Sequence, residues 1–176
     1  VRNLYRLECF QDVKVETLQG SADDQILLKI DVIEKPTGNF MFGGGYSSVD
    51  YGYLTASISQ NNLFGRGQVL ELKTTISAKS STYSLSFTEP YLFDKAISAG
   101  FDIYNRKRDY GDYERSSVGG RLRLGTRLAD YTKLFWDYSY DVSDITNVDN
   151  DVSDLIKDSE GTNTTSATTV TLKYDT

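Results

Sequence analysis

Histidine is absent from this 176-residue chain, cysteine, methionine and tryptophan occur once each, and proline twice. Without imidazole, the most common general base and the most common metal ligand are both missing. The solitary Cys9 excludes an internal disulfide framework and a thiolate metal cluster, and its simplest role is that of a small buried hydrophobe. No segment approaches the ~20 consecutive apolar residues of a membrane-crossing helix, and mean hydropathy is −0.42. A net charge of −6, with no basic helix or stripe, argues against nucleic acid as a partner. The chain opens Val1-Arg2-Asn3, without a charged segment leading into an apolar one. That start reads as mid-domain sequence, which favours a piece of a longer protein.

What the chain does contain is tyrosine (13), glycine (14) and a long series of strands that are apolar on one face only. Residues 1–36 differ from the rest. Leu4, Leu7 and Phe10 suit one face of a short helix. Val13 and Val15 then alternate with Lys14 and Glu16, residues 20–24 read as a turn, and Ile26, Leu28, Ile30 and Val32 share one face of a second strand. Seven acidic and five basic residues in this stretch suggest an ordinary wet surface. About 36 residues are too few for an independent core, so the segment reads as the tail of a truncated α+β domain.

From Thr37 onward the texture is that of a large antiparallel sheet. Phe40, Phe42 and Tyr46 alternate around Met41 and Gly43-Gly44-Gly45, a first strand that glycine weakens. Those glycines are no phosphate loop, because no helix with the required partners follows. Further strands are expected at residues 54–60, 68–78, 82–88, 96–105, 116–127 and 132–142, and an eighth from Ser166. Their apolar rows include Leu70, Leu72 and Ile76; Tyr83, Leu85 and Phe87; Ile97, Phe101 and Ile103; and Leu134, Trp136, Tyr138 and Tyr140. The opposite rows carry Glu71, Lys73, Asp102, Arg121, Arg123 and Asp137.

Two models fit such alternation: a soluble sandwich, and a membrane barrel with a greasy outside and a polar lumen. Spanning strands need about 9–11 residues against about 5–6 for an average soluble strand, and several segments reach the longer figure. Tyr91, Phe93, Tyr131 and Tyr138 suit interface girdles. Both points favour the barrel, in which the six charges above face the lumen. Connections also alternate. Asn61-Asn62-Leu63-Phe64-Gly65-Arg66-Gly67, Glu89-Pro90-Tyr91-Leu92-Phe93-Asp94-Lys95 and Ala129-Asp130-Tyr131 are compact. The other end holds residues 47–53, 79–81, 106–115 and a polar stretch over 143–165, an asymmetry typical of outer-membrane barrels. Acidic pairs such as Asp149 with Asp151, or Asp158 with Glu160, lack the spacing of a calcium loop and read as solvated. Arg121, Arg123 and Arg127 are lumen charges or an anion site, and nothing selects a ligand. No cofactor and no metal is implied.

The chain resembles the BamA/Omp85 family of outer-membrane proteins. Lys35-Pro36-Thr37-Gly38-Asn39-Phe40-Met41-Phe42-Gly43-Gly44-Gly45-Tyr46 resembles the junction of the last POTRA domain with the first barrel strand. Gln60-Asn61-Asn62-Leu63-Phe64-Gly65-Arg66-Gly67 and Thr88-Glu89-Pro90-Tyr91-Leu92-Phe93 resemble the family's first two periplasmic turns. The resemblance implies a mainly β fold: a partial antiparallel transmembrane barrel over residues 37–176, about seven or eight of roughly 16 strands. A truncated last POTRA domain over residues 1–36 would precede it on the periplasmic side. It also implies folding and insertion of barrel proteins in the Gram-negative outer membrane, without catalysis. The implied partners are lipid, unfolded clients and accessory lipoproteins of the assembly complex. The first strand, Phe40, Met41, Phe42, Gly43, Gly44, Gly45 and Tyr46, would be the lateral gate. A secretion transporter, a passive pore and a soluble β-rich binding module remain as other readings.

Overall fold

The computed structural model describes residues 10–19 and 26–175. The expected positions Leu4, Leu7 and Cys9, and the expected turn at residues 20–24, lie outside the described residues. Two antiparallel strands come first, β1 (Phe10–Gln19) and β2 (Ile26–Glu34), paired from Phe10↔Glu34 to Gln19↔Ile26. Phe10, expected on a helix, opens β1 instead, because its pairing with Glu34 continues the ladder past the alternating valines. Val13 is the one buried hydrophobic residue among those described.

A second sheet holds eight strands in chain order: β3 (Gly38–Ser47), β4 (Tyr51–Leu63), β5 (Gln68–Ser77), β6 (Ser80–Glu89), β7 (Ile97–Asp109), β8 (Glu114–Ala129), β9 (Thr132–Thr146) and β10 (Gly161–Tyr174). Every neighbouring pair is antiparallel, so the sheet is an uninterrupted meander with β3 and β10 at its edges. The strands are unequal in length, from 10 residues in β3, β5 and β6 to 16 in β8. A one-turn helix, α1 (Asp154–Lys157), interrupts the connection between β9 and β10.

Register sorts the side chains into two faces, because residues directly opposite each other share a side of the pleat. One row runs Phe42, Ala56, Thr74, Tyr83, Asn105, Val118, Val142 and Thr164. The parallel row Ile58, Leu72, Leu85, Ile103 and Gly120 lies on the same face. Among the described residues, nothing covers this face. Phe40 is 70 % exposed, Leu72 53 % and Val170 66 %. A soluble sheet would bury such a surface against a second layer, and an uncovered apolar face of eight strands calls for lipid.

The connections are shorter than expected at the end away from β2. Residues 48–50, 78–79 and 110–113 suffice, and only the 147–160 connection is long. Polar residues such as Thr162, Asn163 and Asp144 continue as paired strand rather than loop, because the backbone ladder does not depend on apolar side chains. The asymmetry between the two ends therefore rests on a single connection. Tyr138, expected in an interface girdle, sits mid-strand opposite Leu122 and Thr168, within the apolar band.

Candidate functional site

The face opposite the apolar one carries the charges. Glu71 pairs with Ser59 and Ser86, Lys73 with Ser57 and Ser84, and Asp102 with Ser86 and Arg121. Arg123 and Asp137 lie opposite each other on β8 and β9. All six charged residues singled out from the sequence thus share one face, but only one pair of them meets. Arg123 Nη2 donates to Asp102 Oδ1 at 3.0 Å, and its Nε stands 3.0 Å from Oδ2 in an ion-pair contact without hydrogen-bond geometry. Among the described residues, Glu71, Lys73, Arg121 and Asp137 form no ion pair.

Side chains on this face also reach past their neighbouring strand. From β8, Arg123 Nη2 donates to Thr88 Oγ1 on β6 at 3.1 Å, crossing β7 at Gly100. Tyr104 Oη on β7 donates to Asp141 Oδ2 on β9 at 2.9 Å, crossing β8 at Gly119. Arg106 stacks on the Tyr104 ring at 4.0 Å. Arg108 on β7 reaches Asp50, in the connection between β3 and β4, at 3.4 Å. In the first two of these contacts the side chain lies across the glycine of the intervening strand. The two glycines permit these: a Cβ at Gly119 would stand 2.6 Å from Tyr104 Oη, and one at Gly100 would stand 3.0 Å from Arg123 Nη2. This glycine role is visible only once the register is known, since the sequence shows merely isolated glycines in strands.

β3 has one neighbour, β4, paired from Gly38↔Gln60 to Ser47↔Tyr51. Its other edge is free of partners among the described residues. Phe40, Phe42 and Tyr46 lie on the apolar face, while Met41, Gly43 and Gly45 lie on the polar one. The glycines are not equivalent. A Cβ at Gly44 would meet Tyr53 O at 3.0 Å, and one at Gly45 Tyr53 Oη at 2.7 Å, whereas at Gly43 the nearest atom is 3.7 Å away.

At the β2 end, two turns stand side by side. Asn62 has φ 63° and accepts a hydrogen bond at Oδ1 from Gly67 N–H at 2.7 Å, closing the loop through Leu63, Phe64 and Gly65. Asn61 donates its N–H to Thr37 O at 3.0 Å, which ties the turn to the start of β3. Glu89 ends β6 beyond its apolar row and joins the neighbouring turn. It accepts from Gln68 Nε2 at 2.5 Å and from Tyr91 N–H at 3.0 Å. These two hydrogen bonds, helped by the nearby Arg66, hold its carboxyl below the usual carboxylate range. Pro90 packs over Gly67, where a Cβ would lie 3.6 Å from its Cγ.

Sequence and structure comparisons agree on one family. Residues 62–176 match the Omp85 superfamily domain. The outer membrane protein assembly factor BamA of Nitratidesulfovibrio vulgaris is 30 % identical over 173 residues, 98 % of this chain and 22 % of that protein. The BamA of Neorickettsia risticii is 33 % identical over 176 residues, 97 % of this chain and 23 % of that protein. Among solved structures, BamA from Haemophilus ducreyi lacking POTRA domains 1–3 superposes with a TM-score of 0.79 at 21 % identity, covering 99 % of this chain and 37 % of that one. The chain spans less than a quarter of the length of these curated relatives. It belongs to the Omp85 superfamily, and its fold is that of a partial outer-membrane barrel with a POTRA-like region on the periplasmic side.

Proposed function

We propose that this Omp85-superfamily chain forms the opening half of a barrel that folds and inserts other β-barrel proteins into the outer membrane, with β3 as its lateral gate. In this reading residues 1–36 end the last POTRA domain, residues 37–176 begin the barrel, and Glu71, Lys73, Asp102, Arg121, Arg123 and Asp137 face its lumen. The observation that carries it is the run Gly43-Gly44-Gly45 in β3, the first strand of the sheet, which weakens pairing along that strand. An edge strand presents a row of unpaired N–H and C=O groups, which template an incoming strand by β-augmentation. No catalysis is involved. The partners are membrane lipid, unfolded barrel clients and the accessory lipoproteins of an assembly complex.

The test is reconstitution of the full-length protein in vesicles with an unfolded outer-membrane client. Faster client folding than in empty vesicles is expected. No acceleration, with ion conductance in its place, would make the barrel a passive pore.

A further inference from the structure

Two turns at the periplasmic rim share a backbone that their sequences disfavour. In Leu63-Phe64-Gly65-Arg66 the central φ values are 55° and 73°, and in Leu92-Phe93-Asp94-Lys95 they are 55° and 58°. Each closes with the same two hydrogen bonds. Gly65 N–H donates to Asn62 O and Asp94 N–H to Tyr91 O, at 3.1 and 3.0 Å; Arg66 N–H donates to Leu63 O and Lys95 N–H to Leu92 O, both at 3.2 Å. Two consecutive positive φ angles define the type I′ turn, whose first central position favours glycine or asparagine. Phenylalanine there is strained, and neither ring offsets the strain by packing: Phe64 is 85 % exposed and Phe93 84 %.

Between the turns lies a cleft of about 660 Å³. Arg66 stands among its lining residues together with Glu89, Tyr91 and Asp94. Neither Arg66 nor Asp94 has a side-chain hydrogen bond or ion pair among the described residues. Glu89 continues the outward row of Tyr83, Leu85 and Phe87, so the cleft opens where the apolar band ends. A cation, two carboxylates and an aromatic face, next to two exposed phenyl rings at the edge of a lipid-facing surface, complement a dipolar headgroup carried on acyl chains.

We propose that this cleft binds the headgroup of a zwitterionic phospholipid of the periplasmic leaflet. Arg66 takes the phosphate, Asp94, Glu89 and Tyr91 surround the ammonium, and Phe64 and Phe93 enter the acyl region. The proposal rests on the reading of the sheet as a membrane wall.

The test uses full-length protein in vesicles of equal parts phosphatidylethanolamine and phosphatidylglycerol, with p-benzoylphenylalanine replacing Phe64, Phe93 or, as a control on the apolar face, Leu72. Irradiation is expected to yield phospholipid adducts at all three positions. At positions 64 and 93 phosphatidylethanolamine should be favoured roughly tenfold, equivalent to about 1.4 kcal/mol. That preference should vanish in an Arg66→Ala/Asp94→Asn background, with capture at position 72 unchanged. Equal capture of both lipids, or adducts to polypeptide alone at 64 and 93, would overturn the headgroup site and leave the membrane wall standing. Absence of lipid adducts at position 72 would overturn the wall, and the proposal with it.

Discussion

Arg123 on β8 holds Asp102 on β7 through an Nη2 hydrogen bond and an Nε ion-pair contact, each 3.0 Å, and the same Nη2 also reaches Thr88 on β6. One guanidinium thus fastens three strands. Both side chains keep partial access to water, with 36 % and 22 % exposure, so the pair is worth less than a fully buried one. Arg123→Ala should destabilise the folded barrel by about 1–2 kcal/mol, read as a lowered urea midpoint in vesicles. In a double-mutant cycle with Asp102→Ala, the coupling energy should be about 1 kcal/mol. Additive effects would show that the pair contributes nothing of its own.

Gly119 makes room for the bond between Tyr104 and Asp141. An added methyl would sit 2.6 Å from the phenol oxygen and 2.8 Å from the carboxylate. Gly119→Ala should cost about 1–3 kcal/mol through overpacking. Tyr104→Ser in the same background should recover part of that loss, since it removes the clashing ring.

The glycines of β3 separate strand stiffness from strand fit. Gly43 has space for a side chain, and Gly44 approaches the Tyr53 carbonyl too closely for one. Gly43→Val should leave the urea midpoint unchanged or higher, because β-branched residues favour strands by up to ~1 kcal/mol. Client folding should slow several-fold if β3 is the gate. Gly44→Val should lower the midpoint itself, a different phenotype at the adjacent residue.

Face assignment has its own test. Leu72→Arg puts a charge on the apolar face and should cost about 2–4 kcal/mol in a bilayer. Ser59→Arg, on the polar face opposite Glu71, should stay within ~0.5 kcal/mol of the parent. Equal costs at the two positions would mean that neither face meets lipid.

Phe93 in its left-handed turn invites relief. Asparagine tolerates that backbone, so Phe93→Asn should raise stability in detergent by about 1 kcal/mol, measured by thermal unfolding. A loss of stability would show that the exposed ring has a structural partner.

Most of this sheet can be read from alternation alone. Leu70, Leu72 and Ile76 against Glu71 and Lys73 leave one arrangement of the pleat, and the register of β4, β5 and β6 follows it. Alternation fails where pairing does not depend on apolar contrast. Residues 161–165 are polar at every position except the glycine, yet they form strand because β9 already offers a ladder for them. Phe10 fails for the same reason, drawn into β1 by Glu34. The left-handed Phe64 and Phe93 left no local signal, since aromatic residues rarely take that conformation. Among the charges, residue type indicated the face but not the partner. Asp137 stands opposite Arg123, which turns to Asp102 on the other side instead.

The unequal strand lengths have a further consequence. At ~3.4 Å per residue and a tilt near 40°, the 10 residues of β3 rise about 26 Å, close to the ~25 Å apolar band of such barrels. The 16 residues of β8 rise about 42 Å by the same geometry, so some 15 Å of hydrogen-bonded sheet stands clear of the bilayer. This rampart, with Arg106, Arg108 and Asp144 on it, lies on the side away from β2. Its hydrogen-bonded ladder is expected to form a conformational epitope, so an antibody raised to it should bind the folded protein in vesicles and lose binding after denaturation.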